Sequence, residues 1–259
     1  MKVKSADGVS VAYQVKGSGS PALVFVHGWS CDKSYWEPQT SHFSKKHKVV
    51  TVDLGGHGES GLERENWTVD AFAADVAAVV NKLDLKKVVL IGHSMGGPVV
   101  VEAARLMPDR VIGVVGVDTF GDIDRKRMPP LTEDRLARFR SNFVETTREM
   151  VKSMFLETSD PKLVEKIVLD MSSAPPKVGI GAMKGMSDYD LPGTFEKIKV
   201  PIRCINSDYR PFDLEAARQH SPSFKVVFMS GVGHFVMLED PGTFDSLLEE
   251  TIEELTSKK

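Results

Sequence analysis

The pentapeptide Gly92-His93-Ser94-Met95-Gly96 stands between an unbroken apolar run, Val88-Val89-Leu90-Ile91, and a helix-forming stretch from Gly97 to Leu106. A chain that must leave a strand, turn sharply and enter a helix within five residues has few conformations open to it. The turn presses its central residue into strained backbone geometry, so the flanking positions need the smallest side chains. The glycines around Ser94 meet that need, and the serine hydroxyl is left standing at the mouth of a sheet. A bare Gly-x-Ser-x-Gly arises by chance in about one chain of this length in ten. Its placement between strand and helix gives it weight.

The same alternation extends along the chain. Short apolar runs recur at Ala22–Val26, Val49–Val52, Val111–Val117, Ile202–Ile205 and Val226–Met229. Continuous rather than alternating hydrophobicity predicts strands covered on both faces, as in a parallel sheet flanked by helices. Before them, Lys2–Ser5 and Val9–Val15 flank Asp7-Gly8 and read as a hairpin. Thr68 is a suitable N-cap for a helix to about Leu83, with Val69, Phe72, Ala73, Val76, Val79, Val80 and Leu83 on one stripe. A last helix begins near Pro241.

From about Phe120 to Leu191 no strand is predicted. A charged, methionine-rich helical region begins at Arg125–Pro130, and Leu136, Phe139, Phe143, Met150, Met154 and Phe155 supply an apolar face. That face could bury as ordinary core, or its underside could line a pocket over Ser94, as central insertions in α/β domains often do. The expected organisation is a core domain of residues 1–119 and 192–259 with a helical cap at 120–191.

With 259 residues the chain can build one large α/β domain carrying an insertion. A net charge of −3 gives no reason to expect nucleic acid or an anionic membrane as partner. Cys31 and Cys204 lie far apart and match no metal-ligand spacing, no run reaches membrane-spanning length, and the first residues lack a signal-peptide core. A cytoplasmic location follows as the default. Neither cofactor nor metal is expected, and oligomeric state is not legible.

A serine hydroxyl needs an adjacent base, itself held by a third group. His234, in the Gly-rich loop after Phe224–Met229, is the candidate base. His93 is expected to pack, His27 and His57 to shape loops, and His42, His47 and His220 to be solvated. For the acid, Asp208 beyond Ile202–Ile205 leads, Asp118 after Val111–Val117 competes, and Asp213 is third, although it looks more like a helix N-cap. Asp53 is assigned to loop stabilisation. The turn after His27-Gly28 would present the Trp29 backbone N–H beside that of Met95, giving two donors for an oxyanion.

These residues resemble the α/β-hydrolase superfamily over essentially the full chain. The resemblance is carried by His27-Gly28-Trp29, Asp53-Leu54-Gly55-Gly56-His57-Gly58-Glu59-Ser60, Gly92-His93-Ser94-Met95-Gly96-Gly97 and Gly233-His234-Phe235. It implies an eight-stranded, mostly parallel sheet, a serine–histidine–acid triad and a helical cap after the sixth strand. One departure stands out: the usual Gly-x-x-Asp after the penultimate strand is here Asn206-Ser207-Asp208-Tyr209. The resemblance points to a carboxylic-ester hydrolase acting on small or medium acyl substrates, including lactones or thioesters. The alternatives are a carbon–carbon bond hydrolase, with Arg135, Arg138, Arg140 or Arg148 lining the cap, and a ligand sensor that retains the triad.

Overall fold

The computed structural model describes residues 1–124 and 131–257. The helical start expected at residues 125–130 lies outside them. Eight strands form one sheet: β1 (Lys2–Lys4), β2 (Ser10–Lys16), β3 (Ala22–Val26), β4 (Val49–Val52), β5 (Val88–His93), β6 (Val111–Val117), β7 (Ile202–Ser207) and β8 (Lys225–Met229). Their order across the sheet is β1-β2-β4-β3-β5-β6-β7-β8. β1, β2 and β4 pair antiparallel, and every pairing from β4 to β8 is parallel. The central strands β3, β4 and β5 are buried at every residue, which is why their sequences do not alternate.

β8 departs from the expectation of two covered faces. Val227 and Phe228 are 42% and 44% exposed. β8 is the last strand of the sheet, so its apolar run is partly open to solvent.

The helices start where side chains can satisfy their free N–H groups. Thr68 Oγ1 accepts from Ala71 N (3.2 Å) ahead of the helix Val69–Lys82, whose Val69, Phe72, Ala73, Val76, Val79 and Val80 are all buried. Burial of each larger apolar side chain there contributes roughly 1.5–3 kcal/mol. Asp240 caps the closing helix Pro241–Thr256 in the same way.

Between β6 and β7 the described residues form helices Glu133–Ser141, Phe143–Lys152, Pro161–Ser172, Pro176–Asp188 and Leu191–Phe195, with caps from Thr132, Asn142 and Asp160. Phe139, Phe143, Val151, Ile167, Met171 and Val178 join the same apolar cluster as the sheet. The insertion is therefore packed onto the core through its apolar face. His220 bridges the two ends of this excursion, with Nε2 2.8 Å from Asp124 and Nδ1 2.9 Å from Glu196. No helix among the described residues is long and apolar enough to cross a membrane.

One ion cluster, buried at Arg64 and Asp75 and open to solvent at Asp7, fixes the loop after β4. Arg64, 5% exposed, donates from Nη1 and Nη2 to Asp75 (2.9 and 2.5 Å) and from Nε to Asp7 (2.6 Å), while Gly55 N donates to Asp75 Oδ2 (2.8 Å). Removing one partner leaves a buried charge unmatched, which is costly. Arg64→Leu should lower the unfolding free energy by about 3 kcal/mol in urea titrations, within the range for broken buried pairs. A midpoint equal to the parent's would show that the cluster is not needed for stability.

Candidate active site

The site is assembled where β3, β5 and β6 end. Ser94 follows β5 directly with φ 51°, in the left-handed region that ordinary side chains avoid. A Cβ on Gly92 would stand 2.2 Å from Gly96 O, and one on Gly96 2.6 Å from Val26 O. Only glycine fits on either side of the turn. The strained conformation is held by backbone bonds: Ser94 N donates to Val117 O (3.0 Å), and Ser94 O accepts from Gly97 N (2.9 Å) and from Thr119 Oγ1 (3.0 Å). Strain of this kind costs roughly 1–3 kcal/mol and persists only where the surroundings enforce it.

The loop after β3 lies against this turn. A Cβ on Gly28 would be 3.3 Å from Ser94 Cβ, so the backbone leading into Trp29 passes beside the serine. Among the described residues, neither the Trp29 N–H nor the Met95 N–H donates to another protein group. Met95 also caps the helix Gly96–Leu106, whose N-terminal end favours negative charge. The Trp29 ring is 5% exposed. Its indole N–H donates to Gly179 O (2.7 Å), and it packs on Phe139 and Phe143 of the insertion at centroid distances of 6.1 and 5.9 Å.

His234 faces Asp118, not Asp208. Its Nδ1 donates to Asp118 Oδ2 at 2.5 Å, and Asp118 Oδ1 accepts from Ser207 N (2.8 Å) and Ser207 Oγ (2.9 Å). Burial would raise the Asp118 pKa, but the hydrogen bond and charge of His234, with the Ser207 amide, outweigh it and hold the carboxyl below its ordinary value. Asp118 thus stays ionised. The bond fixes the proton on Nδ1 and leaves Nε2, which makes no other hydrogen bond among the described residues, free to accept.

Asp208, the leading sequence candidate for this position, sits elsewhere. β7 ends at Ser207, which turns both its amide and hydroxyl to Asp118; Asp208, one residue on, is exposed and accepts instead from Ser230 Oγ (2.5 Å). Successive residues of an extended chain point to opposite sides, so the two positions cannot serve the same partner. Asp213 caps the helix Leu214–His220 by accepting from Ala216 N (3.0 Å).

His27, His57 and Asp53 take their expected structural parts, whereas His42, His47 and His220, expected to be solvated, are partly buried and hydrogen-bonded. His27 Nδ1 donates to Gly28 O (2.8 Å) and its Nε2 accepts from Leu54 N (3.1 Å). His57 reaches Gly55 O (3.0 Å), and burial first, then the nearby His27, drives its pKa down to about 3. Asp53 binds Lys33 through N and Nζ (both 2.7 Å) and Glu59 N (3.0 Å). His42 and His47 hydrogen-bond to Glu249 and to Pro21 O.

Two residues, Ser207 and Glu239, escaped sequence reasoning, whereas His93 packs as expected. His93 is 1% exposed, and its Nε2 donates to His234 O (3.0 Å) with the two rings 4.7 Å apart. Burial, reinforced by His234, lowers its pKa to about 3, so it works as a neutral brace. Ser207 supplies two donors to Asp118. Glu239 accepts from Gly233 N (3.0 Å) and Phe235 N (3.1 Å), on either side of His234. The run Gly233-His234-Phe235 signalled the loop, but no spacing rule pairs it with a carboxylate five residues beyond the histidine.

A cavity of about 260 Å³ lies between helices Glu133–Ser141 and Phe143–Lys152, and one of about 460 Å³ beside Glu102, Tyr189 and Thr194; neither is lined by Ser94, Asp118 or His234. Among the described residues no group of three histidine, cysteine or acidic side chains could hold a metal ion.

The family model for the alpha/beta hydrolase fold matches residues 21–168. The chain is 26% identical to YisY, an AB hydrolase superfamily protein of Bacillus subtilis, across 96% of this chain and 97% of that one. It is also 26% identical, over 94% of its length and 67% of the relative, to the dihydrolipoyllysine-residue acetyltransferase component of the acetoin cleaving system of Cupriavidus necator. Among solved structures, a thermophilic esterase from Thermogutta terrifontis superimposes with a TM-score of 0.84 at 26% identity, covering 99% of both chains.

The geometry has a direct spectroscopic consequence. A hydrogen-bonded imidazole Nδ1–H protected from exchange should give a downfield proton resonance. That signal should vanish in Asp118→Asn and survive in Asp208→Asn; the reverse pattern would return the carboxylate partner to Asp208.

Proposed function

The chain belongs to the alpha/beta hydrolase fold family, and from that premise we propose that it is a serine hydrolase of carboxylic esters, with Ser94 as nucleophile, His234 as base and Asp118 as acid. The observation that carries the proposal is the 2.5 Å bond from His234 Nδ1 to Asp118, because it fixes the tautomer in which Nε2 can take a proton. The fold alone would not choose a chemistry, since it hosts many. The similar Thermogutta terrifontis protein is called an esterase, which supports the reaction class.

In this mechanism Nε2 removes the Ser94 proton as Oγ attacks the ester carbonyl. The hydroxyl must come within about 3 Å of Nε2, a contact that catalytic groups often complete only with substrate present. The oxygen that becomes negative is received by the Trp29 and Met95 N–H groups, helped by the positive end of the helix Gly96–Leu106. Asp118 steadies the imidazolium and keeps its ring in place without accepting the proton. The imidazolium then protonates the departing alcohol, and water, deprotonated by the same Nε2, releases the acid and regenerates Ser94. Residues 120–191 act as the cap, with Trp29, Phe139 and Phe143 forming an aromatic seam between cap and core.

A carbon–carbon bond hydrolase would want a cation facing the substrate. Arg138 and Arg140 are instead exposed and paired with Glu149 (3.0 Å) and Glu133 (2.9 Å), and Arg148 Nη1 lies 4.0 Å from Glu145. Those pairings favour the ester reading.

An organophosphonate should label Ser94 covalently and leave Ser94→Ala unmodified, as mass spectrometry would read. Asp118→Asn should lower kcat on a short p-nitrophenyl ester by roughly 10⁴-fold with the fold intact, as expected when a triad imidazole loses its orienting carboxylate. Asp208→Asn should retain most of the rate. Rapid turnover by Ser94→Ala would remove the serine from the mechanism, and one slow covalent event with the parent protein would indicate a sensor.

A further inference from the structure

His234 sits in a loop between β8 and the short helix Val236–Glu239, and its backbone is held from two directions. From its own side, Glu239 takes the N–H groups of Gly233 and Phe235, the residues on either side of the histidine. From the insertion, Met154 O accepts the N–H of His234 itself (2.9 Å). The two sides are joined by Ser159. Its hydroxyl donates to Glu239 Oε2 (2.7 Å) while accepting from Leu156 N (3.1 Å), so Ser159 ties the turn that contains Met154 to the carboxylate that holds the histidine loop. Phe155 stacks on Phe235 with centroids 5.1 Å apart, and Tyr209 Oη donates to Ser153 O (2.5 Å).

We infer that Glu239 and Ser159 are positioning residues for His234, so that the turn at residues 153–159 sets the base geometry and the base is aligned only when that part of the cap is seated. This rests on the reading of His234 as the base. A carboxylate accepts but cannot donate, and Glu239 Oε2 is shared by Gly233 N and Ser159 Oγ. The same oxygen that orients the histidine loop therefore also registers the cap. If the cap turn lifts away, His234 N loses Met154 O and Glu239 loses Ser159 together. His234 then keeps His93 Nε2 on its carbonyl and Asp118 on its Nδ1, but its N–H is released and Glu239 is untied from the cap, so the ring can pivot about the Asp118 bond. Admission of substrate beneath the cap and alignment of Nε2 are in this way two readings of one contact set. Glu239→Gln turns one acceptor oxygen into a donor that faces an N–H or a hydroxyl, whereas Ser159→Ala cuts only the link to the cap.

The test compares the parent protein with Glu239→Gln, Ser159→Ala and Ser159→Thr, measuring kcat and KM on a short p-nitrophenyl ester and the His234 Nδ1–H proton resonance. Misplacing a catalytic group by about 1 Å costs roughly 100-fold, so Glu239→Gln should lose kcat on that scale with KM nearly unchanged. Ser159→Ala should lose kcat by roughly tenfold, a fraction of that effect, and Ser159→Thr, which restores the hydroxyl, should recover it. In both defective variants the proton resonance should broaden or shift. A merely structural brace would lower the urea midpoint while leaving kcat and the resonance of the folded protein as in the parent, and that result would overturn the inference. If Glu239→Gln does not fold, the Ser159→Ala and Ser159→Thr pair decides it. If the parent turns over no ester, the functional reading fails on its own, and the resonance in Ser159→Ala still decides whether the brace exists.

Discussion

A single carboxylate at the end of β6 determines what the rest of this site can do. Asp118 has a largely buried side chain, is ionised and is bonded on both oxygens, to the His234 imidazole through one and to the Ser207 amide and hydroxyl through the other. Burying an unpaired carboxylate would be prohibitive, and burying one that meets three donors is not. Those donors come from β7 and from the loop after β8, so three consecutive neighbours in the sheet must be in register before the acid is stable. The fold and the site are thereby made to depend on each other.

The backbone supplies the second condition. Of the non-glycine residues with positive φ, Ser30, Ser94, Asp118 and Phe120 lie just beyond β3, β5 and β6, around the candidate site, while Asp84 belongs to a turn after the helix Val69–Lys82. Strain gathered at strand ends is held by the rigid sheet beneath. Asn206 shows how: its Nδ2 donates to Thr119 O (2.9 Å) and its Oδ1 accepts from Thr119 N (3.2 Å), fixing the turn from which Asp118 projects. Thr119 in turn donates to Ser94 O, so the turns that carry Asp118 and Ser94 are braced by one residue.

Much of this was legible from residue order alone. Apolar runs gave the strands because a strand buried on both faces has no reason to alternate; Thr68 marked a helix start because free N–H groups need acceptors there, and Pro241 because proline has no N–H to leave unsatisfied. Gly92 and Gly96 announced the turn at Ser94 because nothing larger fits. The carboxylate that faces His234 was not legible. Asp118 and Asp208 each follow a strand, and choosing between them needs the direction in which each side chain leaves the sheet. That direction depends on where β7 stops, one residue before Asp208 rather than at it. Glu239, Ser159 and Ser207 were missed for a related reason: each acts through contacts made across the fold or around a loop, which local pattern does not encode.

The account stands on convergence, and a crystal structure of the protein phosphonylated at Ser94 would examine it most directly. The phosphonyl oxygen should lie within about 3.1 Å of both the Trp29 and Met95 N–H groups, with His234 Nε2 turned towards the modified Oγ and Nδ1 still on Asp118. An oxygen directed to solvent, or an imidazole released from Asp118 and paired with Asp208, would contradict it.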